Sequence, residues 1–153
     1  MDKLDYFGLE GPEELFKEIQ SAVSEYSSRP SERLFFFLIF SLNHLREWIA
    51  GSSSKEMMKK NPQNDSLSKG ELFFFDIWNL NEFQIINSLC NRGKHFLSKS
   101  TALRTSKIQG LNCRTGKVSD SLDQEYFLID GVDSRDIFHP VVKKYHLWFK
   151  KDV

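Results

Sequence analysis

The sequence predicts an α+β fold that is mainly α: an antiparallel bundle of about four helices, with a small antiparallel β-sheet inserted before the C-terminal helix. Apolar residues recur at helical spacing through most of residues 12–98, the predicted helical core. Residues 101–130 instead contain short segments rich in Thr, Val, Ile and Leu, separated by turn residues. A further helical pattern covers residues 133–151, and the length of 153 residues suits a single domain, 1–153.

The first two helices have clear boundaries in the sequence. Pro12 suits the first position of a helix, and the apolar spacing that follows it continues to about Ser28. The second helix is predicted from Glu32 to about Ile49, with Gly51 closing it. Within it, residues 34–40 are seven consecutive apolar residues, which predict a segment buried nearly all round but too short to cross a membrane.

Residues 51–70 separate this helix from the next helical region. They are polar, bounded by glycines and interrupted by an Asn-Pro pair. Few of their side chains could be buried, so the pattern predicts a long mobile loop, the most mobile internal segment of the chain. A loop of this length is either a lid or a disordered insertion, and the sequence favours neither.

The third helical region has an aromatic piece and a main helix. Residues 72–78 form the aromatic piece, and the main helix is predicted from Glu82 to about Ser98. Asn79 with Glu82, or Asn81 with Gln84, has the spacing of a capping box at its start.

The remaining elements are strands followed by a last helix. The predicted strands are Thr101–Gln109, Leu111–Val118 and Glu125–Ile129. The last helix is capped by Asp133 or Asp136, and Pro140 is tolerated better if Asp136 is the cap. Its inward face is predicted to consist of Ile137, Val141, Tyr145 and Trp148.

Charge is distributed unevenly although the chain is neutral overall. Residues 83–119 contain no Asp or Glu, whereas residues 1–32 and 120–136 are predominantly acidic. Either the acidic ends fold back and neutralise the middle, or the middle forms an exposed basic face for RNA or another anionic partner. The basic residues of the middle are Arg92, Lys94, Lys99, Arg104, Lys107, Arg114 and Lys117.

The cysteines and the N-terminus predict a reducing, cytoplasmic location. Cys90 and Cys113 form no Cys-x-x-Cys pair, and the first residues lack the pattern of a signal peptide. The four histidines show no metal-binding spacing, and no phosphate-binding glycine loop is present, so no metal or cofactor is expected.

The candidate site combines polar residues on two helices. Asn87, Asn91 and His95 are four residues apart, which places them in one line along the main helix. His44 lies four residues from Phe40 on the second helix, so an antiparallel arrangement would bring it near Asn91 or His95. For His44 alone, the favoured interpretation is a core histidine, hydrogen-bonded to a carbonyl group or to Asn91.

Two short motifs resemble those of a known superfamily. His-Leu-Arg-Glu-Trp at 44–48, followed by Cys-Asn-Arg-Gly-Lys-His-Phe at 90–96, resembles a group of small uncharacterised bacterial proteins and the HEPN superfamily of helical domains. The resemblance covers roughly residues 12–98. It implies a homodimer that acts on RNA as a metal-independent ribonuclease of a bacterial toxin or defence type.

The resemblance also assigns roles to individual residues. The implied catalytic residues are His95, Arg92 and Asn91. The residues expected to bind substrate are Lys94, His44, Arg46 and Lys99. The alternative is a noncatalytic module that binds nucleic acid or protein, in which Asn91 and His95 only join helices.

Overall fold

A computed structural model gives the structure of the chain and describes residues 8–94, 103–109, 117, 120, 121 and 124–150. The described part is mainly helical, with a small antiparallel sheet before the last helix, so the predicted fold class is confirmed. The helices are α1 (Pro12–Ser28), α2 (Glu32–Ala50), α3 (Ser54–Met57), α4 (Lys69–Asp76), α5 (Asn81–Lys94) and α6 (Ser134–Lys150), and a 3₁₀ turn covers Ile77–Asn79. The strands are β1 (Thr105–Gln109), β2 (Glu125–Ile129) and β3 (Val132–Asp133).

Helix α2 lies at the centre of the described bundle. It packs against α1, α4, α5 and α6, and its buried residues Leu38, Leu42 and Leu45 recur at the spacing of one helix face. Helix α6 contributes Ile137, Val141 and Tyr145 to the same core, and its Trp148 is partly buried against that core. Among the described residues, no helix has both the length and the apolar character needed to cross a membrane.

The sheet has the order β1-β2-β3 and is antiparallel throughout. Thr105 pairs with Ile129 at one end of the first ladder, and Gln109 pairs with Glu125 at the other. Asp130 and Gly131 form the tight turn into β3 with φ values of 50° and 78°, the conformation that favours Asn, Asp and Gly. The predicted strand Leu111–Val118 falls largely outside the described residues, and Lys117, which is described, is not in a strand.

The apolar run at the start of α2 is less buried than its sequence predicts. Phe36 is 48% exposed and Phe37 is 37% exposed, whereas Leu38 and Ile39 are buried. Successive residues of a helix point about 100° apart, so a helix with neighbours on only part of its circumference must expose part of any continuous apolar run. The expectation of burial nearly all round is therefore wrong for these two residues.

Residues 51–70 are not a continuous loop, because they include the short helix α3 and the start of α4. Ser53 caps α3 through its side chain, which accepts a hydrogen bond from the Glu56 N–H, and Met57 is fully buried. The predicted mobility of this segment stays a prediction, but it is anchored to the core near its start. Gly70 lies at its end, where an added Cβ atom would come 2.3 Å from the Ile49 carbonyl oxygen, so close helix packing requires glycine.

The structure decides between the predicted caps. The capping box occurs at Ser68 and Glu71, at the start of α4, and not at Asn79 or Asn81. Helix α6 begins at Ser134 because Asp133 Oδ1 accepts a hydrogen bond of 2.9 Å from the Arg135 N–H. Of the two candidate caps, Asp133 is therefore the correct one. Pro140 consequently lies inside the helix, where its missing N–H removes one bond of the ladder.

Candidate functional site

A chain of three asparagines runs along the seam between α2 and α5. Asn87 Nδ2 donates to Asn43 Oδ1 at 2.8 Å, and Asn91 Nδ2 donates to Asn87 Oδ1 at 3.3 Å. Asn43 is buried and Asn91 is exposed, so the chain of amides connects the core with the surface. Satisfying a buried amide in this way fixes the orientation of its partners. We call these three residues, together with His44 and Cys90, the α2–α5 seam.

The contacts along the seam establish the relative direction of the two helices. Arg46 lies over the ring of Phe83, whereas Asn43, earlier on α2, reaches Asn87, later on α5. The two helices are therefore antiparallel neighbours, in agreement with the predicted antiparallel bundle.

His44 joins a carboxylate and a thiol within the same seam. Its Nδ1 lies 3.3 Å from Glu47 Oε2, and its Nε2 lies 3.9 Å from the Sγ atom of Cys90. The side chain of His44 is 30% exposed, while Cys90 is completely buried. A carboxylate on one ring nitrogen orients an imidazole, and an oriented imidazole is chemically suited to transferring a proton.

Glu47 is held in its ionised form. Burial alone would raise its pKa, but hydrogen bonds from His44 and Ser54 outweigh burial and lower the pKa to about 2. Ser54 contributes both its backbone N–H, at 3.1 Å, and its hydroxyl group to Glu47 Oε1. The first residue of α3 thus stabilises the charge that orients His44.

Arg92 is exposed near the end of α5. Its Nη1 donates to the backbone carbonyl of Leu103, just before β1. Among the predicted site residues, Asn91 and Arg92 are thus consecutive and exposed near the end of α5, and Asn91 is the exposed member of the seam. The described part of α5 extends to the backbone of Lys94. The side chain of Lys94, together with His95 and Lys99, lies outside the described residues.

Arg46 occupies a different environment from the one that substrate binding requires. It is 6% exposed, its Nη1 donates to the Phe74 carbonyl at 3.2 Å, and its guanidinium carbon lies 3.8 Å from the centre of the Phe74 ring. A cation beneath aromatic rings is closed off from solvent. Arg46 therefore packs α2 against α4, and it does not present an exposed charge to a substrate.

The unbalanced basic segment is neutralised in part by the acidic ends of the chain. Lys107 Nζ lies 2.6 Å from Glu32 Oε1, and Lys117 Nζ lies 2.8 Å from Asp136 Oδ1. For these two lysines, the interpretation that the acidic ends fold back is correct. Arg92 and Arg104 are exposed on the described surface, so a smaller basic area remains.

Sequence reasoning missed two contributors to the seam. Glu47 stands within the 44–48 motif three residues after His44, a spacing that puts both side chains on one helix face. That spacing could have identified Glu47. Asn43 had no comparable signal, because its partner Asn87 lies on another helix, 44 positions away.

Comparison with known proteins provides no relative for this chain: no protein-family model, no curated protein and no solved structure matches it. Among the described residues, no group of three or more His, Cys, Asp or Glu side chains could hold a metal ion.

Proposed function

We propose that the protein acts on RNA as an HEPN-like, metal-independent ribonuclease of a bacterial toxin or defence type. The observation that carries the proposal is the contact between the two sequence motifs. His44, from the 44–48 motif, meets Cys90, the first residue of the 90–96 motif, and the asparagine chain passes through the same seam. Polar residues from both motifs therefore meet at the α2–α5 seam, and the exposed Arg92 directly follows Asn91 on α5.

In this proposal, each predicted site residue except Arg46 has a chemical task. Arg92 binds a phosphate of the RNA, because a guanidinium offers several N–H donors in one plane. His95 acts as the general acid or base when the neighbouring 2′-hydroxyl attacks the phosphorus. Asn91, held by Asn87, orients the His95 imidazole, and His44, oriented by Glu47, contacts the substrate. Lys94 and Lys99 add positive charge for the RNA backbone.

The proposal includes a two-fold dimer, since the implied site needs residues from two copies of the chain. Light scattering on the purified chain measures this directly. A dimer is the expected result, and a monomer at high concentration would favour the noncatalytic binding module.

The decisive experiment is cleavage of a labelled single-stranded RNA in the presence of EDTA. Parent protein should cleave, and His95→Ala should slow cleavage by about 10²- to 10⁴-fold with nearly unchanged RNA affinity, because an acid or base acts mainly in the transition state. Arg92→Ala should weaken binding and lower the salt dependence of binding by about one phosphate contact. Arg29→Ala, which removes an exposed charge after α1, is the matched control and should change neither quantity.

Three other results of this experiment would contradict part or all of the proposal. RNA binding without cleavage in the parent protein would overturn the ribonuclease and support the binding module. A His95→Ala variant that cleaves normally but melts several degrees lower would make His95 a structural residue. Absence of both binding and cleavage would overturn the proposal altogether.

A further inference from the structure

A cavity of about 580 Å³ lies between the first half of α2, the end of α5 and the face of the β1–β2 hairpin. Its volume falls within the roughly 300–1,000 Å³ that small-molecule sites typically have. The apolar lining residues are Phe35, Phe36, Ile39, Leu89, Phe127 and Leu128. The polar lining residues are Glu32, Arg92, Thr105, Ser106 and Lys107. We call this space the α2–hairpin cavity.

The apolar wall of this cavity is partly open to water. Phe36 is 48% exposed. The ring centre of its neighbour Phe35 lies 6.3 Å from the ring centre of Phe127 on β2. When an apolar group of a ligand covers exposed aromatic area of this kind, the free energy of the complex is lowered. Because the wall combines aromatic and aliphatic side chains, it suits a flexible apolar chain better than one flat ring.

Of the two cations at the rim, only Arg92 is placed to bind a further anion. Lys107 is already paired with two carboxylates, at 2.6 Å from Glu32 and 3.8 Å from Glu125. Arg92 donates one of its N–H groups to the Leu103 carbonyl, an uncharged acceptor, so its positive charge is not balanced by that contact. A carboxylate is the complementary group for a guanidinium, since two parallel hydrogen bonds can join them.

We propose that the α2–hairpin cavity binds a small amphipathic molecule with one apolar chain and one carboxylate. Arg92 binds the carboxylate, and the chain lies against Phe36, Phe127 and Leu128. The cavity is a concave space bounded by two helices and a hairpin. A small molecule can fill such a space, whereas a flat protein surface cannot. The proposal does not depend on the ribonuclease activity, although both use Arg92.

The test is calorimetric titration of the full chain with dodecanoate below its micelle-forming concentration. One molecule should bind per chain, and dodecyltrimethylammonium, with the same chain but the opposite charge, should bind about tenfold or more weakly. Phe36→Asp should weaken dodecanoate binding at least about tenfold, because it places a charge on the apolar wall. Phe37→Asp is the matched control, since Phe37 is also an exposed phenylalanine of α2 but does not line the cavity.

A second matched pair tests the head group. Arg92→Ala should weaken dodecanoate binding about tenfold, whereas Arg33→Ala, at an exposed position of α2 outside the cavity lining, should change it less than about twofold. Equal effects of Phe36→Asp and Phe37→Asp, or equal binding of both detergents, would overturn the proposal. So would a change of oligomeric state in Phe36→Asp, because it would assign the wall to a contact between copies.

The same variants separate this proposal from the ribonuclease. Phe36→Asp should leave RNA cleavage unchanged, because Phe36 has no task in that reaction. A protein that cleaves RNA but does not bind dodecanoate would overturn only the ligand proposal. A protein that binds dodecanoate at Arg92 without cleaving RNA would overturn only the ribonuclease.

Discussion

Two arginines are buried among the residues that the structure describes, and their surroundings differ. Arg135 is 8% exposed and Arg46 is 6% exposed, so burial alone does not distinguish them. Arg135 is paired with carboxylates and also lies over the ring of Tyr126, whereas Arg46 is surrounded by aromatic rings and has no carboxylate partner among the described residues. The same side chain therefore serves as an ionic link in one region and as a packing group in the other.

Arg135 joins three separate parts of the chain. Its Nη1 and Nη2 bind the two carboxylate oxygens of Asp120 at 2.6 and 2.9 Å, and its Nη2 also binds Asp133 at 2.7 Å. A further bond of 3.0 Å reaches the Ser27 carbonyl at the end of α1. Burial alone would lower the pKa of Arg135, but the two carboxylates outweigh burial and raise it.

Arg46 has no such compensation. Three rings surround its guanidinium, those of Phe74, Trp78 and Phe83 at 3.8, 5.5 and 4.8 Å, and the Phe74 carbonyl accepts one hydrogen bond. Within the described residues, its Nε atom finds no acceptor. Burial accordingly lowers its pKa from the ordinary value. The comparison teaches that a buried charge can be tolerated through either carboxylates or rings, with different consequences for mutation.

The largest expected effect is at Arg135. Arg135→Met should lower the free energy of unfolding by about 3–5 kcal/mol, because it leaves the carboxylates of Asp120 and Asp133 buried without their cation. Urea denaturation at pH 7 measures the change. A loss below about 1 kcal/mol would show that the two carboxylates find other partners and that the ionic link is not required.

Acidification should reveal the contribution of Glu47, the carboxylate next to Arg46 in sequence. Its pKa falls from the ordinary 4.5 to about 2 in the folded protein, so its contribution to stability is complete above pH 4.5 and is lost between pH 4.5 and 2. Asp120 changes in the same direction, since its hydrogen bonds from Arg135 lower its pKa.

Glu47→Gln isolates that contribution from the rest of the acid sensitivity. At pH 7 the variant should be about 1–3 kcal/mol less stable than the parent, and the difference should nearly vanish at pH 2. Denaturant titrations at several pH values measure both curves. A difference that stays constant with pH would mean that Glu47 acts through packing and not through its charge.

A smaller effect is expected at Arg46. Arg46→Met should change the free energy of unfolding by no more than about 1 kcal/mol, because methionine can fill similar space and removes a cation without a carboxylate partner. The same denaturation experiment compares it directly with Arg135→Met. Equal losses in the two variants would contradict the distinction between the ionic and aromatic environments.

The smallest effect is expected where an ion pair is exposed. Lys117→Met breaks the contact with Asp136, in which both side chains are more than one third exposed, and should cost less than about 0.5 kcal/mol. A high-salt measurement on the parent protein is the control, because screening weakens exposed pairs more than the buried pairs of Arg135. A loss similar to that of Arg135→Met would show that burial does not govern these ion pairs.

The sequence by itself determined most of the secondary structure. Helix α1 ends at Ser28 and Gly51 closes α2 with a φ of 68°, both as predicted, and β2 has the predicted bounds Glu125–Ile129. These features depend on local properties, such as the period of apolar residues, the conformational freedom of glycine and the capping capacity of short polar side chains. The same local properties predicted the line of Asn87 and Asn91 on α5.

Only the tertiary structure decided which side chains these elements bring together. The local sequence offers Arg135 one of its partners, Asp133, two positions earlier, but its other partner Asp120 is 15 positions away, and the acceptor of Arg46 is 28 positions away. The partner of Asn87 and the exposure of Phe36 likewise depend on which helix faces pack against each other. Periodicity determines the face on which a residue lies, whereas the neighbour of that face results from the packing of the whole chain.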